Sequence, residues 1–276
     1  MLLRTLFLLS GLFFCGISYC QLAEALPNGH AHNDYEKCRP ALIKALEEGF
    51  VSIEIDVFPY RNKLKVAHVA FLLGTAPDLE NMYFLPLQKW LKDHGQLFSE
   101  PEQRLIFMID IKRDGAEAYV LLRQLCQKYK HLITHYFPSN DSVSYGKVDI
   151  LLSGNKPYAQ VLADSVRYML IDGGLSDIGN PQHSSVIAPR LSAAYHSLLN
   201  WRGIGHMPEL ENKKLKNIVE KAHKDGRKVR FWAMPNNTAV WRKMHDTGVD
   251  WMNVDDLRRY RKFYEGYRSA KRNENY

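Results

Sequence analysis

Between residues 28 and 256, short apolar, β-rich runs alternate with stretches of helical spacing. The runs fall at 29–33, 52–58, 105–112, 148–154, 168–174, 185–191, 229–235 and 251–255. Several are apolar throughout, as parallel strands become when helices cover them from outside. Helical stretches lie between most of them. In 40–48, Pro40 suits a first helical position, Leu42, Ile43 and Leu46 form one stripe, and Gly49 ends it. The segment 116–129 carries Val120, Leu121, Leu125 and Cys126 at helical spacing, and 215–224 stops at Asp225-Gly226. Eight strands alternating with helices predict a single-domain α/β protein, a (β/α)8 TIM barrel. A doubly wound open sheet would call for a glycine-rich loop after an early strand. Here the first strand runs into His32-Asn33-Asp34-Tyr35 instead. One departure is expected: 63–69 alternates like a further strand, with Tyr60-Arg61-Asn62 as its turn.

The chain ends change this picture only at the margins. Residues 6–17 form an apolar run behind Arg4, too short to span a bilayer, which reads as a signal peptide over 1–25. Ala23-Glu24-Ala25 offers one cleavage site, and Ser18-Tyr19-Cys20 offers a second site or a lipoprotein signal ending before Cys20. The expectation is a barrel over 26–276 in a secreted or periplasmic protein, with lipid anchoring as an option. Cys38 and Cys126 then read as two buried thiols. Net charge is +7, but after Leu257 seven Lys and Arg face Glu265 and Glu274 alone, so most of the excess sits in one terminal segment. There it forms either a solvated helix whose Tyr260, Phe263, Tyr264 and Tyr267 pack inward, or a peripheral contact with an anionic membrane. Without a recognisable motif the charge does not indicate nucleic acid.

Candidate chemistry lies at the strand ends, where TIM barrels build their sites. Glu54 and Asp56 stand two apart in one strand and so share a face, which the alternation with Ile53, Ile55 and Val57 turns inward. Two enclosed carboxylates repel unless a cation lies between them. Asp110, ending the neighbouring strand, adds a third oxygen ligand suited to Ca2+ or Mg2+. The competing interpretation of the same carboxylates is an internal salt bridge with Lys112. His32 and His68 would flank them on adjacent loops as proton donor and acceptor. His30 competes with His32, and Lys112 offers a fixed charge for a phosphate oxygen.

His32-Asn33-Asp34-Tyr35 resembles the His-Asn-x-Tyr segment of phosphoinositide-specific phospholipases C. Glu54-x-Asp56 and His68 follow in the order shared by those enzymes and the glycerophosphodiester phosphodiesterases. Asp110-Ile111-Lys112 is similar to the Glu-x-Lys strand end of the latter. Phe231 to Asn236 resembles their Trp-Thr-Val-Asn segment, and Thr247 to Asp255 their closing Gly-Val-Asp-Gly segment. The match is nearest to secreted bacterial members of the His-Asn-Asp-Tyr form. It implies a metal-dependent phosphodiesterase with His32 and His68 as acid/base pair. Asn33, Glu54, Asp56 and Asp110 become metal ligands, and Lys112, Trp232 and His30 substrate contacts. The substrate would be a small or lipid-headgroup phosphodiester. Three departures stand out: Asn33 for the arginine of glycerophosphodiesterases, Val69 for an aspartate, and Asp110 for a glutamate. Two other functions stay open. A metal-dependent amidohydrolase also opens on His-x-His, matched by His30-Ala31-His32, but needs histidines at strand ends five and six. A non-catalytic barrel binding phospholipid or sugar headgroups needs none of the proton chemistry.

Overall fold

The computed structural model describes residues 22–274; the stretch up to residue 21, most of the expected signal peptide, lies outside them. Eight parallel strands close into a barrel: β1 Leu26–Ala31, β2 Phe50–Tyr60, β3 Leu105–Ile111, β4 Val148–Gly154, β5 Met169–Gly173, β6 Arg190–Ala194, β7 Lys228–Trp232 and β8 Trp251–Val254. Closure is made by β1, which pairs with β8 (His30 beside Asn253) and with β2 (His30 beside Ser52). The single-domain (β/α)8 architecture is therefore the one the alternation of strands and helices predicts.

The β2 strand shows how the pattern encodes the barrel. Ile53, Ile55 and Val57 are fully buried against the surrounding helices, while Ser52, Glu54 and Asp56 point into the barrel. Besides a single turn at Asp34–Lys37, the α-helices are α1 Ile43–Glu47, α2 Leu85–His94, α3 Gly115–Lys128, α4 Tyr158–Ala163, α5 Glu209–Lys224, α6 Thr238–Thr247 and α7 Leu257–Glu274. Only two short 3-10 turns join β5 to β6. The expected excursion exists: Lys63–Val66 pairs antiparallel with the end of β2 through a turn in which Arg61 and Asn62 take positive φ.

One strand departs from expectation. The sixth begins at Arg190, not near residue 185. Ile187 and Ala188 are buried, but as part of the connection, where the Ile187 carbonyl accepts from the Ile171 amide at 2.8 Å. An apolar run satisfied by shell packing looks, in sequence, like a strand.

The aromatic side chains of α7 pack inward, Tyr260 and Phe263 against Trp241, and Tyr264 and Tyr267 against His245. Two of its arginines close the barrel's lower end. Arg261 donates to the carbonyls of Glu24 and Glu48, and Arg268 pairs with the Glu24 carboxylate. Among the described residues no helix is long and apolar enough to cross a membrane.

Candidate active site

The β2–β3 register sets the centre. It places Asp56 directly beside Asp110, with Glu54 one layer lower beside Met108. Each of the three carboxylates offers an oxygen within 4.8 Å of the others. The chain then supplies Asn33 from above. As β1 ends, Asn33 takes φ 48°, a left-handed conformation that asparagine tolerates better than most residues. This turn brings its Nδ2 to 3.0 Å from Asp56 Oδ2, which also accepts from the Tyr35 hydroxyl at 2.9 Å. Lys112 Nζ pairs with Asp56 Oδ1 at 3.0 Å and with Asp110.

Burial makes these charges interdependent. Glu54 is almost enclosed, which by itself would raise its pKa. The Arg230 guanidinium and then His30 outweigh burial and hold Glu54 well below the ordinary carboxylate range. Burial raises Asp56 and Asp110 adds to this, against the pull of Lys112. His30 is driven well below its ordinary value by burial and by Arg230, so it stays neutral. Its Nε2–H then donates to Glu54 at 3.1 Å, and Nδ1 accepts from the Ser52 hydroxyl at 2.7 Å. With the ring wholly buried and both nitrogens engaged, His30 props up Glu54 and does not line the mouth.

His32 stands in the upper layer. Its Nδ1 bonds Asp255 at 2.9 Å, and Lys37 reaches the same carboxylate oxygen at 2.9 Å. Burial opposes charge on His32, yet the Asp255 bond and the Glu54 field raise its pKa. Asp255 falls in turn to about 2. His68 projects from the excursion loop and meets Glu36 through Nδ1 at 3.1 Å, which ties that loop to the turn after β1. Trp232 ends β7, 43% exposed, edge-on to His196 at 5.9 Å. The structure thus gathers His32, Asn33, Glu54, Asp56, Asp110 and Lys112 at one end of the barrel, with His30 below and His68 and Trp232 at its periphery.

The donor set fits a hard cation. Its atoms are all oxygens, and one of them, Asn33 Oδ1, is buried without a hydrogen bond. The competing salt bridge also forms, to Asp56 and Asp110, and leaves the Asn33 oxygen without a partner. Sequence reasoning missed Arg230, which neutralises Glu54 and donates to Asn253 at 2.6 Å. Alternation from Trp232 would have placed it inside. The strand-five histidine that an amidohydrolase needs is missing among the described residues, since β5 ends on Gly173, although His196 follows the end of β6 at Ala194. His183 instead pairs with Asp177 in a connecting loop.

A family model described as the AIM6-like phosphodiesterase domain matches residues 23–172, more than half of the chain. Altered inheritance of mitochondria protein 6 of Eremothecium gossypii is 28% identical, over 85% of this chain and 68% of that protein. Its homolog in Arthroderma benhamiae is 28% identical over 83% of this chain and 81% of its own length, and the Saccharomyces cerevisiae protein is 29% identical over 83% and 68%. A glycerophosphodiester phosphodiesterase from Agrobacterium tumefaciens shares the fold, with TM-score 0.51 and 14% identity, over 88% of this chain and all of that one. These relatives correct two expectations. They are fungal proteins named for mitochondrial inheritance, so neither a secreted bacterial type nor a secreted or periplasmic, lipid-anchored location stands. With its matched region spanning β1 to β5 and holding every carboxylate of the cluster, the chain belongs to the AIM6-like phosphodiesterase domain family.

Proposed function

We propose that the protein is a metal-dependent phosphodiester hydrolase that works by histidine acid/base catalysis. The observation that carries this is the set of four oxygen ligands at the barrel mouth: Asn33, whose buried Oδ1 lacks a hydrogen bond, with Glu54, Asp56 and Asp110. The phosphodiesterase character of the family supports it. These residues would hold Ca2+ or Mg2+, which would supply positive charge against the negative charge building on the phosphoryl oxygens. In this reading Lys112 contacts a phosphate oxygen and Trp232 an alcohol group. His32 and His68 divide the proton transfers. One takes a proton from the attacking oxygen, of water or a neighbouring substrate hydroxyl. The other gives a proton to the departing alkoxide as its bond to phosphorus breaks. Asp255, fixed to His32 Nδ1, orients that ring and leaves Nε2 for the substrate. The favoured substrates are glycerophosphodiesters and phosphoinositide-like diesters.

The test is hydrolysis of a generic aryl phosphodiester, with chelator and with Ca2+ or Mg2+ restored. Turnover should vanish with chelator and return with one cation. His32→Ala and His68→Ala should each cost at least about a hundredfold in turnover. Near-wild-type rates in both variants would refute the assignment.

A further inference from the structure

The opposite end of the barrel holds a second recess, apart from the carboxylate cluster. It is an open space of about 590 Å³ walled by Leu151, Leu170 and Trp251 and reached by Arg104, Asp149 and Arg190. TIM barrels ordinarily fill this end with side chains. Here Met108, Leu151 and Leu170 form the plug, and Tyr136 from a small hairpin packs beside it.

Arg190 is the unusual member. Only 2% exposed, it opens β6 where sequence alone suggested a strand end. Its contacts are the Ser52 hydroxyl at 3.1 Å, the Met108 sulfur at 3.5 Å and the Trp251 ring at 4.3 Å, none of them an anion. The nearest carboxylate influence is Asp172, buried and bonded to Ser192 at 2.8 Å. A buried guanidinium without a direct ion pair is costly. The other two cations at the recess are already matched, Arg104 with Asp149 at 3.1 Å and Lys228 with Asp250 at 3.1 Å. Asp149 contributes a second feature: its Oδ1 is buried and has no hydrogen-bond partner.

We propose that this recess binds a small amphiphilic anion. Arg190 takes the anionic group, Leu151, Leu170 and Trp251 take an apolar body, and Asp149 Oδ1 accepts a hydrogen bond from a hydroxyl or N–H on the ligand. A lone inorganic anion would leave the apolar walls and Asp149 unmatched, and a neutral apolar ligand would leave Arg190 so. The recess opens at the end of the barrel away from the carboxylate cluster, and its one buried link to that cluster runs from Arg190 through Ser52 and His30 to Glu54.

The probe is 4-hydroxybenzoate, titrated calorimetrically into the full chain, beside 4-hydroxybenzyl alcohol, which keeps the ring and phenol but lacks the anion. Saturable binding of the benzoate is expected, with the alcohol at least about tenfold weaker, and Arg190→Gln weakening the benzoate by a similar factor. Ile106→Trp, at a partly exposed position lining the recess, fills the space without touching a charge. It should abolish binding even if Arg190→Gln fails to fold. Lys112→Ala, at the other mouth, should leave binding intact. Absence of binding, equal binding of the alcohol, an unaffected Ile106→Trp, or loss of binding in Lys112→Ala would each overturn the proposal.

Discussion

Arg230 illustrates how one side chain fixes the chemistry of another. Its guanidinium, 2% exposed at the side chain, is what keeps the enclosed Glu54 ionised. Arg230→Met should therefore cost about 3–5 kcal/mol, the usual consequence of leaving a buried charge without its partner, read by denaturant unfolding. Asp34 plays a similar part above. Burial pushes its pKa to about 6, and its oxygens accept from the Tyr83 hydroxyl and, at 2.6 Å, from the Leu42 amide. This clamps the turn that carries His32, Asn33 and Tyr35. Tyr83→Phe removes one donor from a buried carboxylate and should lower stability by about 1–3 kcal/mol. The same variant should weaken cation binding, measured by calorimetry, because Asn33 depends on that turn. An unchanged affinity would show that Asn33 holds its conformation without the clamp.

At the scale of elements, α6 and α7 meet through a cluster of rings around His245. Burial depresses this histidine to about 4, against the attraction of Asp246, and Tyr260 lies 2.8 Å from its Nε2. The ring is neutral in the fold, whereas the unfolded chain takes up a proton near 6.5. The unfolded state binds more protons in that window, so stability is complete above about 6.5 and falls as pH drops toward 4, by up to about 3 kcal/mol. His245→Phe should flatten the difference between urea unfolding at about pH 7 and about pH 4.5, whatever it does to stability overall. An unaltered slope would place the acid sensitivity elsewhere. The same packing narrows what α7 can offer an anionic membrane. Its aromatic residues face inward and Arg261 and Arg268 are engaged at the barrel floor, which leaves Arg258, Arg259, Lys262, Lys271 and Arg272 on the exposed side. Any vesicle binding through this helix should be electrostatic and disappear as ionic strength rises. Binding that resists salt would require apolar insertion instead.

For the whole molecule, what the sequence makes legible is what lies close together along the chain. Strand alternation, the β2 carboxylates and the turn at Arg61 and Asn62 are local patterns, and the barrel follows from their repetition. The candidate site residues are also local, since Asn33, Glu54, Asp56, Asp110 and Lys112 all lie within or just after the first three strands. The charges that control them are not. Arg230 meets Glu54 across 176 residues, and Asp255 meets His32 across 223, so no spacing rule announces either pair. The displaced sixth strand has a different cause, because periodicity cannot distinguish an apolar connection from an apolar strand.

The ring of strands is completed by its last member, and this bears on how the protein is made. Until Trp251–Val254 leaves the ribosome, β1 has only one neighbour, and its other edge presents unsatisfied amides and carbonyls. The chain must then carry an open sheet through nearly all of its synthesis. A nascent chain halted before β8 is accordingly the species most exposed to strand exchange with its neighbours, and the one for which chaperone capture matters most.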